Sequence, residues 1–387
     1  MGKYFTPFVL SQDNGNFELT KLSVLQVFDY FIKLKQKIMK LLTTPILIIL
    51  FLMMSCTNNQ EKEITNAQSS SYFDYSNSDD QITGGIKMIP IETPKGTFHV
   101  WTKRVGNNPK MRLLLLHGGP GATHEIFENF DGYLPHEQIE YIYYDQLESY
   151  YSDQPNDSSL WTIEHFVEEV EQVRKALNLT NDNFYLLGQS WGGILAMEYA
   201  LKYQDNLKGL IISNMVASLP EYEKYASEVL GPQLPPDVFK EIKDFEANED
   251  FGNPRYAELV QQHYYTRHVL RKPLEEWPEF INRTFKHLNP NIYIYMQGYS
   301  EFGITGNASL KGWDVSARLG ELKVPTLMLG GKYDTMDPKY MEWMSTQVQK
   351  GRSVTTNGSH ISHYDDADGY FSGLIKFIKD VHEGNFN

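Results

Sequence analysis

Gly188-Gln189-Ser190-Trp191-Gly192 lies between two segments of opposite character. Phe184-Tyr185-Leu186-Leu187, before it, is a short apolar run of the kind that forms a buried strand. Ile194 to Tyr203, after it, carries Ile194, Met197 and Leu201 at helical spacing. Strand, G-x-S-x-G and helix, in that order, is the context of a nucleophile elbow. There the serine sits on a sharp, strained turn with its hydroxyl pushed outward. Glycines two residues to either side remove Cβ atoms that would otherwise collide. The five residues alone would also suit an ordinary glycine-rich turn, so the flanks carry the reading.

The segments around this turn extend the pattern. Lys87 to Glu92 and Thr97 to Lys103 read as two strands joined by the turn Thr93-Pro94-Lys95-Gly96. Met111 to Leu116 is a continuous apolar run suited to a strand buried on both faces. His117-Gly118-Gly119-Pro120-Gly121 follows it, where a glycine-rich backbone is able to approach a ligand and offer N–H groups to an oxyanion. Ile139 to Tyr144 is a further strand, ending in Asp145-Gln146. Thr162 to Leu177 has a helical apolar face, and Leu207 to Ile212 is again a strand. Strands alternating with helices imply a mainly parallel sheet covered on both sides.

From Asn214 to about Gly320 the rhythm breaks into proline-punctuated helical stretches with scattered aromatics, expected to form a helical cap. Alternation returns with Val324 to Leu329 as a strand, Pro338 to Gln349 as a helix, Ser353 to Thr355 as a short strand and Asp368 to Val381 as a closing helix. The expected division is therefore 82–213 and 321–387 for the α/β core, with 214–320 inserted between them.

A serine hydroxyl needs a base, and the base needs an orienting acid. After an elbow serine the expected chain order is acid, then histidine. Asp334, in Gly330-Gly331-Lys332-Tyr333-Asp334, and His360, in Gly358-Ser359-His360, each follow a strand. Asp337 and His363 are the nearby rivals. Triad chemistry is complete without a metal or an organic cofactor, and none is implied.

Taken together, His117-Gly-Gly-Pro-Gly121, Asp145-Gln146, Gly188-Gln-Ser-Trp-Gly-Gly193, Ser300-Glu-Phe-Gly-Ile-Thr-Gly306 and Tyr333-Asp334 resemble the proline iminopeptidases of the α/β-hydrolase fold. The likeness is greatest to the branch containing the tricorn-interacting aminopeptidase, and it runs from about residue 85 to the end. It implies Ser190, Asp334 and His360 as the triad, and the N–H groups of Gly119 and Trp191 as the oxyanion hole. It also implies Glu301 as the cap carboxylate that holds the free N-terminus of a short peptide substrate. A second anchoring glutamate frequent in that branch, just after the triad aspartate, is here Thr335. The segment Leu147-Glu148-Ser149-Tyr150-Tyr151-Ser152 lacks the family's usual glycines. Glu148 and Asp337 are candidates to compensate, and broader aminopeptidase specificity than proline alone stays open. So do an esterase, lactonase or amidase activity on the same fold, and a surface binding protein of low turnover.

Composition narrows the partners. The formal net charge is -14, which excludes nucleic acid, whose phosphates require clustered basic residues. The single cysteine, Cys56, ends an apolar, charge-free stretch, Leu41 to Met54, that follows Lys33, Lys35, Lys37 and Lys40. Basic, apolar and small-residue segments in that order resemble a bacterial lipoprotein signal at 39–56, with Cys56 as the lipidated residue. The stretch is short for a spanning helix, which needs about 20 apolar residues. Residues 57–81, rich in Ser, Asn and Asp, are expected to tether a folded body outside the cytoplasm to a lipid-anchored, cell-envelope site. Residues 1–38 suit no such signal, and Met39 is the expected start of translation.

Overall fold

The computed structural model describes residues 85–386, together with the backbone of Phe8–Asp13 and Asn16–Lys21. The signal at 39–56, its Cys56 and the tether at 57–81 lie outside the described residues. Two compact units divide the chain, Met1–Thr65 and Asn66–Asn387. In the first, β1 (Phe8–Asp13) pairs antiparallel with β2 (Asn16–Lys21), Phe8 opposite Lys21.

The second unit is built on an eight-stranded sheet. Its strands are β3 (Ile86–Thr93), β4 (Gly96–Val105), β5 (Arg112–Leu116), β6 (Glu140–Asp145), β7 (Phe184–Gln189), β8 (Gly209–Ser213), β9 (Thr326–Gly331) and β10 (Gly351–Thr356). Their spatial order is β10-β9-β8-β7-β5-β6-β4-β3. The expected opening hairpin is β3 and β4, antiparallel to each other, with β4 antiparallel to β6; the other neighbours run parallel.

The apolar runs are explained by a core on each face of the sheet. Because successive side chains point to opposite faces, Leu113 and Leu115 join Tyr141, Tyr143, Tyr185 and Leu187 on one side. Leu114 and Leu116 join Ile142, Tyr144, Leu186 and Ile212 on the other. That second side is covered by α1 (Ile163–Ala176) and α2 (Trp191–Tyr203). Helix α1 starts where its sequence says, at Thr162, whose hydroxyl accepts the His165 N–H at 3.2 Å.

Between β8 and β9 the described elements are helical, with one isolated bridge between Ser218 and Asp314. They are α3 (Leu219–Tyr225), α4 (Pro236–Ala247), α5 (Pro254–Leu259), α6 (Glu279–His287) and α7 (Pro290–Met296). Helix α5 runs on into a wider π-helical stretch, Val260–Val269, which periodicity at 3.6 residues does not anticipate. The chain closes with α8 (Pro338–Gln347), α9 (Ser362–Asp365) and α10 (Ala367–Glu383), the last packing Phe371, Leu374 and Phe377 into the first-named core. Among the described residues no helix is long and apolar enough to cross a membrane.

One ion-pair cluster fixes α6 against the 3-10 segment His124–Gly132. Arg283 reaches Glu125 at 2.8 Å and Glu128 at 2.5 Å, and His287 Nδ1 lies 2.8 Å from Glu125 Oε2. Because Glu125 is buried, an unpaired carboxylate there would be costly, so the cluster specifies where α6 sits.

Candidate active site

Parallel register brings the candidate residues to one edge. Leu116 lies opposite Gly188, and Gln189 lies opposite Ser213. The loops leaving β5, β7, β9 and β10 at their carboxyl ends therefore carry His117–Gly121, Ser190, Asp334 and His360 to a common rim, where open α/β sheets bind ligands. Ser190 has φ 56° and ψ -125°, a conformation rare for a residue with a side chain. The turn is held by Ser190 N–H donating to Ser213 O at 3.1 Å and Gly193 N–H to Ser190 O at 2.6 Å. A Cβ on Gly188 would fall 1.9 Å from Gly192 O, and one on Gly192 would fall 2.1 Å from Leu116 O. The two glycines are a packing requirement of the elbow.

His360 and Asp334 are paired. His360 Nδ1 lies 2.7 Å from Asp334 Oδ1, and the aspartate is wholly buried. With Nδ1–H donated to the carboxylate, Nε2 is left as the proton-accepting atom. The rivals have other tasks. Asp337 caps α8 by accepting the Lys339 N–H at 2.9 Å. His363 is buried against Phe127 and Phe130, with Nδ1 3.1 Å from Asn129 Oδ1, and burial pushes its pKa down to about 3.

Gly119 has φ 106°, which a residue with a side chain rarely adopts. Trp191 is the first residue of α2, where a backbone N–H has no partner within the helix. The three motifs around them are hydrogen-bonded to one another. Gln146 accepts Trp191 Nε1–H at 2.9 Å, donates to His117 O at 3.1 Å, and gives its own N–H to His117 Nε2 at 3.2 Å. Burial keeps His117 neutral, with a pKa of about 4, so its Nε2 remains an acceptor.

Gly118, Gly119, Gln189, Ser190, Tyr293, Glu301 and His360 line one pocket, whose apolar wall includes Ile126, Val269, Phe285 and Leu288. Glu301 Oε1 accepts the Tyr293 hydroxyl at 2.6 Å. Its backbone is held on both sides, N–H to Tyr265 Oη at 3.0 Å and C=O from the Tyr222 hydroxyl at 2.6 Å. Oε1 is thus engaged by Tyr293, and Glu301 lines the same pocket as Ser190.

The family model described as alpha/beta hydrolase fold matches residues 112–367. A proline iminopeptidase of Flavobacterium johnsoniae is 58% identical over 301 residues, covering 78% of this chain and 100% of that protein. One from Saccharolobus solfataricus is 38% identical over 275 residues, covering 70% and 86%. The chain belongs to the proline iminopeptidase family. The crystal structure of a proline iminopeptidase from Mycobacterium smegmatis is similar to it at a TM-score of 0.68 and 26% identity, covering 77% of this chain and 99% of the other.

For a proline iminopeptidase this site has one conspicuous economy. Glu148 and Asp337, the candidates to replace a second anchoring glutamate, do not line the pocket. Glu148 is buried, accepting the Asn156 N–H at 2.7 Å and Trp161 Nε1–H at 3.0 Å. Thr335 turns to the dyad, its hydroxyl 3.1 Å from His360 Nδ1 and 3.3 Å from Asp334 Oδ1. Among the described residues, Glu301 is the one acidic side chain on the pocket wall. The tyrosines that hold it were not singled out from the sequence, because scattered cap aromatics more often serve as core. The available signal was Tyr293, Tyr265 and Tyr222 in a helical region flanking the Glu301 motif, and spacing alone does not connect them.

Electrostatics set a testable pH response. Burial lowers the His360 pKa, but the charge and hydrogen bond of Asp334, with Glu301 and Asp365 further off, outweigh it and raise the pKa above the ordinary 6.5. A base must be neutral, so kcat/KM is expected to fall as pH drops through a midpoint above 6.5. Glu301→Gln removes one of the charges that hold the imidazolium and should move that midpoint to lower pH. A p-nitrophenyl acyl ester, with no amine to titrate, reads the shift; an unmoved midpoint would refute the coupling.

Proposed function

We propose that this protein is a serine aminopeptidase releasing N-terminal proline, or another small apolar residue, from short peptides. The observation that carries the reading is Glu301, whose carboxylate shares a pocket with Ser190 and His360. An esterase has no need of an anion there. A free, cationic N-terminus does, since an ion pair strengthens as water is excluded.

In this reading Ser190 Oγ attacks the scissile carbonyl while His360 Nε2 takes its proton. The oxyanion is met by the N–H groups of Gly119 and Trp191. His360 then returns the proton to the leaving amine, and water repeats the sequence on the acyl-enzyme to free the amino acid. Asp334 holds the tautomer throughout. Glu301 fixes the distance from the N-terminus to the attacked carbonyl, so only the first residue is removed.

Tyr293→Phe should test this arrangement gently. Loss of a hydrogen bond to a charged group is expected to raise KM for free-amine substrates about tenfold with kcat little changed. An unchanged KM would separate Tyr293 from substrate binding. The wider test is hydrolysis of Pro-β-naphthylamide beside its N-acetylated analogue and a p-nitrophenyl acyl ester. Rapid cleavage of the free-amine substrate alone supports the aminopeptidase; cleavage of the ester alone discards it. The proposed lipid anchor at Cys56 rests on the sequence pattern, and Cys56→Ser should move the protein from the detergent phase to the aqueous phase in a partition assay.

A further inference from the structure

Asn214 closes β8 at φ 52°, a left-handed conformation that asparagine tolerates better than most residues. Its backbone N–H donates to Leu329 O at 2.8 Å, which extends the ladder to β9 and fixes the residue at the rim. The side chain is wholly buried, and each of its polar atoms is engaged. Nδ2 donates to Asp334 Oδ2 at 2.7 Å and to Ser359 O at 3.1 Å. Oδ1 accepts the hydroxyls of Ser213 at 2.9 Å and Ser362 at 3.1 Å. Turned over, the amide would set its oxygen against a carboxylate and a carbonyl, so the network admits one orientation.

We propose that Asn214 is a positioning residue for catalysis, which holds the Asp334 carboxylate aimed at His360 and ties the loop of His360 to the same point. The inference rests on the triad reading. Asp334 is wholly buried and has two oxygens to satisfy. Oδ1 receives His360 Nδ1–H and the Met336 N–H at 3.1 Å. Oδ2 depends on Asn214 Nδ2. A buried carboxylate that loses such a donor takes up a proton or turns toward another donor, and either response weakens the bond to His360. Ser359 O belongs to the residue before His360, so the same amide nitrogen registers acid and base against each other.

Asn214→Ala removes the donor and should lower kcat about 10- to 100-fold with KM nearly unchanged. Asn214→Asp keeps the shape and gives a sharper signature. Two carboxylates 2.7 Å apart must share a proton, which restores an O–H···O bond at low pH and leaves repulsion once both ionise. The variant should therefore show a kcat that falls as pH rises, a limb that the parent lacks. His360, His268, Asp365, Tyr222, Tyr225 and Tyr264 also feel the Asp334 charge. They are common to both proteins, so the difference between profiles belongs to position 214.

The experiment is the pH dependence of kcat and KM for the parent, Asn214→Ala, Asn214→Asp and Asp334→Asn, with thermal unfolding midpoints beside them. The falling limb in Asn214→Asp, with KM retained, supports the proposal. Superimposable profiles for Asn214→Asp and parent overturn it, as does an Asn214→Ala loss that merely follows a lowered unfolding midpoint. If Asp334→Asn itself retains full activity, the triad reading fails, and this inference with it.

Discussion

Ser190→Ala and His360→Ala should each lower kcat by about 10⁵-fold or more, with circular dichroism and the unfolding transition preserved. The two groups perform one proton-coupled attack, so the double variant should be no slower than either single one. What survives should be the small rate that the Gly119 and Trp191 N–H groups and binding alone provide. Ser190→Gly adds a second readout. The elbow holds a side-chain-bearing residue at φ 56°, strain on the order of 1–3 kcal/mol, which glycine relieves. Against the added flexibility of its unfolded chain, Ser190→Gly should be about 1 kcal/mol more stable than Ser190→Ala while equally inactive. Ordinary turnover in Ser190→Ala or His360→Ala would refute the triad. Equal stability of the glycine and alanine variants would mean that the turn is not strained as its dihedral angles imply.

The elbow was legible in the sequence because its constraints are local. Gly188 and Gly192 are required by contacts with the next turn and the neighbouring strand, and the flanks announce their structure, one as a short continuous apolar run and the other through helical periodicity. Strand order was legible only as a class: alternation says parallel sheet, whereas the crossover that sets β5 between β7 and β6 depends on contacts distant in sequence. Asp334 and His360 could be named, and preferred over Asp337 and His363, from chain order after strand ends; the structure adds what occupies the rivals, a helix cap for Asp337 and a site against buried phenylalanines for His363. Asn214, Tyr222, Tyr265 and Tyr293 escaped notice for a related reason. Each acts through hydrogen bonds to residues outside its own element, from eight to 120 positions away for the bonds to Glu301 and Asp334, and no periodicity marks such a bond. The segment 117–139 likewise gave no helical pattern, because the short 3-10 helix His124–Gly132 is set by its Thr123 cap and by Arg283.

Glu301→Gln should cost about 10²- to 10³-fold in kcat/KM on Pro-β-naphthylamide and almost nothing on an N-blocked ester. The substitution keeps the volume and the acceptor for the Tyr293 hydroxyl at 2.6 Å, while an amide group replaces the other carboxylate oxygen. An ammonium placed there would lose its counter-ion and meet two N–H donors instead. With no other acidic side chain among the described residues of the pocket wall, the loss has no nearby remedy. The effect also separates the two limbs of the pH response. In the free enzyme Glu301 helps hold His360 protonated, so it raises the midpoint seen in kcat/KM. Once a cationic N-terminus is bound, that charge is neutralised, and the acid limb of kcat should lie at lower pH than that of kcat/KM. Glu301→Gln should bring the two limbs together, because there is no charge left for the substrate to cancel. Equal losses on the amine and the blocked ester would remove Glu301 from the substrate and leave a hydrolase whose specificity has another source.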